Sequence, residues 1–565
     1  MRTTVAFLLA LLACSCAVRK PVTSARKIAP ETMQADYALF RAILEEDHPG
    51  LYWYTPKDSM DLAFDQGRAR LDDSLTEPAF RNVLSYVLSK IRCGHTTTMP
   101  SRSWLRSRDT LRNHFFPLVL KLWPDTAIVT QYLSRKDSVV PRGAILTSID
   151  GRPMNAIVDS LFQFLSTDGY NRTHKYQTLT NRGAFGSLYL SVFGAREKFS
   201  VGFLDSNGIA RSALIPLYTV VRDTTRRPVP QPTVSRRERR SRTLTANRSL
   251  RIDTATGTAF MELNTFTRTG RLRSFFRKTF RTLRHDKVPN LVIDLRSNGG
   301  GSVTNSNLLT KYIAGGRFRI ADSLFANNRH SSYSRYQQSA LWNRLFLLFF
   351  THRRSDGRYH FTWFENRSFR PKKKNHYDGN VYVLNGGNTF SASTLFAGAV
   401  RPQPNVTLVG EETGGGAYGN NAWLIPDVTL PRTGVRFRLP LFRLVIDKNA
   451  PRGFGVQPEI FAGPTVDAIR HNRDYKTDKV MELIRKQADV CGPATVHWAG
   501  DPKVDGLGWT IVIGTETFIV RDALPQAFRV DGMQVNACLF RTGEKIACKC
   551  MTMPDAYGVR SISVR

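Results

Sequence analysis

The chain is short of acidic residues. Its 565 residues include 46 aspartates and glutamates against 81 lysines and arginines, a formal net charge of +35. A surface of that sign suits a polyanion, an anionic lipid headgroup or nucleic acid. The motifs that read nucleic acid are missing: there is no Cys/His finger spacing and no aromatic-and-glycine RNA-binding signature. The Walker spacing ending in Lys-Ser/Thr is absent too, which argues against a phosphate loop at Gly299-Gly-Gly301. Cysteines number seven, and Cys548-Lys-Cys550 lacks a second Cys/His pair at zinc spacing, so neither a metal nor a cofactor is expected. Long apolar runs are lacking as well. Beyond the N-terminus the longest is Leu345–Phe350, far below the roughly 18 residues of a membrane span. What remains is an ordinary globular composition, 41% hydrophobic, on a chain too long for one core and suited to roughly three or four domains.

The first residues read as an export signal. Arg2 precedes the apolar run Val5–Ala13, and Cys14-Ser-Cys16 follows. Leu11-Leu-Ala-Cys14 resembles a bacterial lipobox, which implies lipidation at Cys14, with Cys16 as the alternative and a cleaved, unlipidated signal as a third reading. Residues 1–16 are therefore set apart as signal peptide. The expected location is the cell envelope, as a membrane-anchored lipoprotein facing the periplasm or the cell surface. In an exported chain the C-terminal cysteines 491, 538, 548 and 550 are expected to form disulfides.

Residues 31–105 have helical periodicity: Met33, Tyr37, Phe40, Ile43 and Leu44 recur at steps of three and four, and Phe80 to Ile91 repeats the pattern. Gly94 is expected to stop that last helix, leaving His95 in the turn beyond. Residues 110–220 change to short strands, with Asp150-Gly151 as a turn and a helix from Asn155 to Leu165. The string from Gly143 to Gly151 and the helix after it resemble a PDZ domain, which implies capture of extended peptide ends by strand addition. Residues 222–251, rich in arginine and proline, read as a mobile linker. Residues 255–487 alternate strand and helix and predict a mixed sheet with helices on its faces. Residues 490–565 predict a small, Cys-containing β-domain. The fold class expected is therefore α/β multidomain: helical segment, PDZ-like β-domain, α/β core and a C-terminal β-domain.

One stretch of the core carries chemistry. Val381-Tyr-Val-Leu384 is a buried strand, Asn385-Gly-Gly387 ends it, and a helix starts at Ser391. Ser391 is read either as an N-cap or as a nucleophile held beside free helix N–H groups. Gly299–Gly301, after another buried strand, would let backbone amides approach a reacting oxygen.

Four ordered strings, Ile293–Gly301, Asn385–Thr394, Val409–Gly416 and Gly453–Ile460, resemble the successive motifs of the C-terminal processing (tail-specific) peptidase family. The likeness runs from about residue 33 to 485. It implies a protease core with Ser391 as nucleophile and with the backbone amides of Ala392 and Gly300 as oxyanion hole. Ser393 is the competitor. Where the processing proteases carry a catalytic lysine this chain has Gly416, and no lysine lies between Lys374 and Lys448. The resemblance is thus to the tricorn-like Ser/His branch, which implies His95 as general base. Gly94 replaces the serine that precedes that histidine in tricorn, so the relay is altered, and Glu411, Glu412 and Glu459 are the open choices for orienting His95.

The function expected is a serine-type endopeptidase acting on exported or envelope polypeptides, with no nucleic-acid partner. The alternative is a non-hydrolytic protein on the same fold that binds peptides or apolar ligands.

Overall fold

The computed structural model describes residues 26–106, 114–134, 139–220, 234–365, 367–487, 489–504, 506–546 and 554–565. The chain divides into two compact units, Met1–Lys476 and Thr477–Arg565.

The first unit opens with three helices, α1 (Pro30–Asp47), α2 (Lys57–Arg68) and α3 (Glu77–Ile91). Proline in the first turn and a Thr76 hydroxyl accepting the Ala79 N–H start α3. Its Phe80, Val83, Leu84, Val87, Leu88 and Ile91 are buried with Met33, Phe40 and Leu44 of α1, each worth about 1.5–3 kcal/mol by burial. The helix ends at Arg92 in the left-handed conformation (φ 59°), not at Gly94 as the glycine suggested. Its guanidinium stacks over Tyr170, 4.4 Å from the ring centroid, and Gly94 serves a different purpose described below.

An antiparallel sheet follows, in the order β5-β4-β3-β2-β1, from β1 (Leu118–Trp123), β2 (Thr126–Tyr132), β3 (Ile145–Ile149), β4 (Lys198–Leu204) and β5 (Ala210–Pro216). Asp150 and Gly151 both have positive φ (49° and 77°) and turn the chain into α4 (Met154–Phe162). Two helices that the pattern did not announce, α5 (Arg172–Thr180) and α6 (Ala184–Phe193), stand before β4. The Asn171 side chain accepts the His174 N–H and caps α5.

The expected linker is only partly a linker. Residues 221–233 lie outside the described residues, but Arg236–Asn247 form α7, capped by Ser235, and Arg248–Asp253 form β6. Alternating Leu250 and Ile252 pack on the core, which gives the edge strand a reason the arginine-rich composition concealed.

The core sheet runs β6-β7-β8-β9-β10-β11, with β7 (Thr258–Leu263), β8 (Asn290–Asp294), β9 (Asn380–Asn385), β10 (Val406–Gly410) and β11 (Ile460–Phe461). Only the β6 pairing is antiparallel; the rest are parallel. Helices α8 (Leu272–His285), α9 (Val303–Ile313) and α11 (Ala392–Val400) contribute to its core. The strands β8 and β9 are buried on both faces, so their sequences are continuous apolar runs. The segment 318–376 carries a strand at Ser323–Ala326 and helix α10 (Ala340–Phe350). Three adjacent parallel strands, β8, β9 and β10, end in Gly299–Gly301, Gly386–Ser391 and Glu411–Gly416, and in such sheets the carboxyl ends of the strands are where ligands meet loops.

The second unit is a closed barrel of β12 (Val490–Trp498), β13 (Trp509–Ile513), β14 (Glu516–Ile519), β15 (Gln534–Lys545) and β16 (Asp555–Val564), in the order 12-13-14-16-15. Only the β14–β16 pairing is parallel, and this order is that of the OB-fold. Cys491 and Cys538 are disulfide-bonded across β12 and β15. Cys548 and Cys550 lie outside the described residues, as do Cys14 and Cys16. Among the described residues no helix is long and apolar enough to cross a membrane.

Candidate active site

Ser391 stands at the N-cap position of α11, yet its side chain caps nothing. Its backbone is strained instead, with φ 56° and ψ −122°, a conformation an L-residue keeps only where its surroundings enforce it. The enforcing bonds are visible. Phe390 N–H donates to Asn298 O (3.1 Å), Gly415 N–H to Thr389 O (3.3 Å), and the Thr394 hydroxyl to Thr389 O (3.0 Å). Thr389 in turn donates its hydroxyl to Leu295 O (3.0 Å). The turn after β9 is thus pinned between the loops after β8 and β10, and Ser391 is turned into a cleft of about 1220 Å³. Ser393 is fully buried within α11.

Gly300 packs directly against this turn. A Cβ there would lie 2.8 Å from both Phe390 O and Ser391 Cβ, and 3.0 Å from Ala392 N. Its φ of +98° adds a second reason for glycine. The Gly300 N–H, however, donates to Asn298 Oδ1 (2.9 Å), whereas no described hydrogen bond engages the Ala392 N–H. Gly301 lines the cleft beside Ser391.

His95 reaches the same place from the far end of the chain. Its ring packs on Phe390, the neighbour of Ser391, at 4.8 Å between centroids. Gly94 permits this approach, since a Cβ on it would stand 2.5 Å from the Phe390 ring. Neither ring nitrogen of His95 has a hydrogen-bond partner here. Burial, with smaller contributions from His174 and Arg438, pushes its pKa down to about 3, so the imidazole rests neutral, the form that accepts a proton.

The carboxylate beside His95 is Asp168, absent from the sequence reading. Its Oδ1 lies 4.0 Å from His95 Nδ1. It is 1% exposed and accepts the N–H groups of Gly94 (2.8 Å) and Gly416 (3.3 Å). Burial raises its pKa to about 7 against those two bonds. The three glutamates proposed from sequence are engaged elsewhere. Glu411 pairs with buried Lys476 (2.8 Å). Glu412 accepts from the Thr173 hydroxyl and Gly455 N–H, and Glu459 pairs with Arg401 and accepts Leu408 N–H. A second imidazole was also missed: His174 stacks on the Phe390 ring, 4.7 Å between centroids, with Nδ1 2.7 Å from Gly387 O. Nothing in Thr167-Asp168-Gly169 or Asn171–His174 distinguishes these residues from an ordinary turn and helix cap.

Cys93, His95 and Asp168 bring potential metal ligands within 4.8 Å of one another. Burial and the Asp168 charge push the Cys93 thiol up to about 12, which opposes the thiolate that a metal needs.

Residues 257–460 match the model of peptidase family S41. Over that segment the chain is similar to this family. The S41 match ends at Ile460, the last residue of the motif Gly453–Ile460, and spans the loops after β8, β9 and β10. The match supports a serine-type peptidase, as the ordered motifs implied. Among solved structures, mature CPAF is 14% identical with a TM-score of 0.55, covering 81% of this chain and 97% of that one. Mature CPAF complexed with lactacystin is 15% identical with a TM-score of 0.56, over 81% and 98%. At that identity the likeness concerns the α/β multidomain fold. No curated protein matches the chain.

Proposed function

We propose that this protein is an endopeptidase in which Ser391 is the nucleophile and His95 the general base, acting on exported or envelope polypeptides. The observation that carries the reading is Ser391 itself: a serine at a helix start that caps nothing, is held at φ 56°, and opens into a cleft. Neutral His95 takes the Ser391 proton as the oxygen attacks a peptide carbonyl. The Ala392 N–H and an amide of the Gly300–Gly301 turn receive the oxyanion, the Gly300 N–H only after it leaves Asn298. The imidazolium then protonates the leaving amine, and water repeats the sequence to release the acyl group. Asp168 lies where it would hold His95 and balance the imidazolium. Glycine at 416 leaves no lysine to compete for the role of base.

The sheet of β1–β5 is taken as the PDZ-like site that holds part of the polypeptide, and Cys14 (or Cys16) as the lipid anchor to the envelope. Ser391→Ala should abolish labelling by a fluorophosphonate probe and all peptide cleavage while leaving the melting temperature intact. Cleavage by that variant would refute the assignment. A non-hydrolytic binding protein is the second reading, favoured by the absence of a hydrogen bond between His95 and Ser391 in this structure; failure of the wild-type protein to react with the probe would support it.

A further inference from the structure

The cleft into which Ser391 opens has an unusual charge lining. Arg273 and Arg277 reach it from α8, Lys311 from α9, and Arg367, Arg370 and Lys372 from the segment that precedes β9. No aspartate or glutamate lines it. None of these six cations forms an ion pair with a carboxylate among the described residues. The chain holds 46 acidic to 81 basic residues, so six charged positions at that ratio would include about two carboxylates. This lining has none, although the segments that supply it are far apart in sequence.

Three of the cations lie over rings, not beside counterions. Arg367 lies over Trp363 (4.0 Å) and Phe369 (5.3 Å), Lys311 over Phe369 (5.2 Å), and Lys372 over Tyr312 (5.2 Å). Such stacking keeps a charge near a fixed place and leaves its donors free. Lys311 already titrates below its ordinary value, through burial and the neighbouring charges of Arg367 and Lys372. Between the cations lies an aromatic floor of Phe361, Trp363, Phe364, Phe369 and Trp423, with Trp363 62% exposed. Mutually repelling cations around an apolar floor describe the complement of an anionic ligand with an apolar centre.

We infer that the Ser391 cleft selects acidic peptide segments, in which aspartate or glutamate residues flank an aromatic or large aliphatic side chain. The carboxylates pair with the cations of α8, α9 and the 367–372 segment, and the apolar side chain lies on the aromatic floor. This names the substrate class of the peptidase proposed above and rests on that reading for the cleavage step, but not for binding.

The test uses the full-length protein and a pair of fluorescent peptides identical except that glutamates flanking a central phenylalanine in one are glutamines in the other. Binding is measured by anisotropy with Ser391→Ala, and kcat/KM with the wild-type enzyme. The glutamate peptide is expected to bind at least tenfold more tightly at low salt, with the advantage largely lost at about 0.5 M salt because screening reaches such partly exposed pairs. Arg367→Gln with Lys372→Gln should remove most of that advantage and leave the glutamine peptide unaffected. Arg236→Gln with Arg237→Gln, on the exposed α7, should change neither. Equal binding of the two peptides would overturn the inference, as would an equal loss for both in the cleft variant or an equal effect from the α7 variant. So would displacement of the peptide by single-stranded DNA at a lower concentration than by unlabelled glutamate peptide. If the preference appears in Ser391→Ala but the wild-type enzyme cleaves neither peptide, the peptidase reading fails and the binding inference stands. If both are cleaved without preference, the reverse holds.

Discussion

Asp168→Asn offers the sharpest perturbation of the site, because its consequence has a sign that ordinary damage would not produce. Burial holds the Asp168 carboxyl at about 7 against an ordinary 3.8. Between those values the folded chain keeps a proton that the unfolded chain has released, so stability falls as pH rises through that window, by about 4 kcal/mol in all. His95 works in the opposite direction. Its folded pKa of about 3 lies under an ordinary 6.5, so the unfolded chain holds the extra proton and stability rises with pH, by about 4–5 kcal/mol over that window. From about pH 4 to 6.5 the two effects cancel. The pair carries one proton in either state, on the imidazole when unfolded and on the carboxyl when folded.

The wild-type stability contributed by this pair should therefore be flat in that range. The Asp168→Asn substitution would remove one arm. Urea unfolding, followed by fluorescence, should show Asp168→Asn gaining about 3 kcal/mol relative to wild type between roughly pH 4.5 and 6.5, and His95→Asn losing about as much. A constant loss of about 1–3 kcal/mol is also expected for Asp168→Asn, since an amide accepts from only one of the two buried N–H groups; the slope, not the offset, is diagnostic. Parallel pH profiles for the three proteins would refute the opposed burial effects and with them the neutral resting pair.

Other expectations are simpler. Gly300→Ala forces a Cβ to 2.8 Å from Phe390 O and Ser391 Cβ at φ +98°; it should cost about 1–3 kcal/mol and slow fluorophosphonate labelling at least tenfold, and unchanged labelling would count against the turn geometry. His95→Asn should lower the labelling rate by about 10²–10⁴, whereas His174→Asn should lower it by less than tenfold, because His174 already spends Nδ1 on Gly387; the reverse ranking would make His174 the base. Loss of the disulfide that closes 47 residues in the barrel, by Cys491→Ser, should destabilise that unit by about 4 kcal/mol, seen as a lower transition in calorimetry of the full chain.

The sequence was most readable where one element answered to one physical requirement. The apolar runs at Asn290–Asp294 and Asn380–Asn385 became the central parallel strands, and the six-residue face of α3 is buried as its period implied. Ser391 was placed at a helix start, which it occupies. Legibility failed where a residue's role depends on what closes over it from elsewhere. Asp168 is a carboxylate in a turn until Gly94 and Gly416, 74 and 248 residues away, donate to it. Gly94 looked like a helix stop because its approach to Phe390 is a tertiary fact. The glutamates of the loop after β10 stand near the motif in sequence, but Lys476 and Gly455 claim two of them. Edge strand β6 was hidden because arginines dominate the composition around two inward-facing residues.

Gly416 limits what a single substitution in the loop after β10 can do. Its N–H binds Asp168, and a Cβ there would stand 2.4 Å from the carbonyl oxygen of Gly419. A lysine at this position would have to displace backbone before its ammonium reached anything, and would disturb the amide that steadies the carboxylate beside His95. Gly416→Lys alone would therefore not place an ammonium at the site without rearranging the loop after β10.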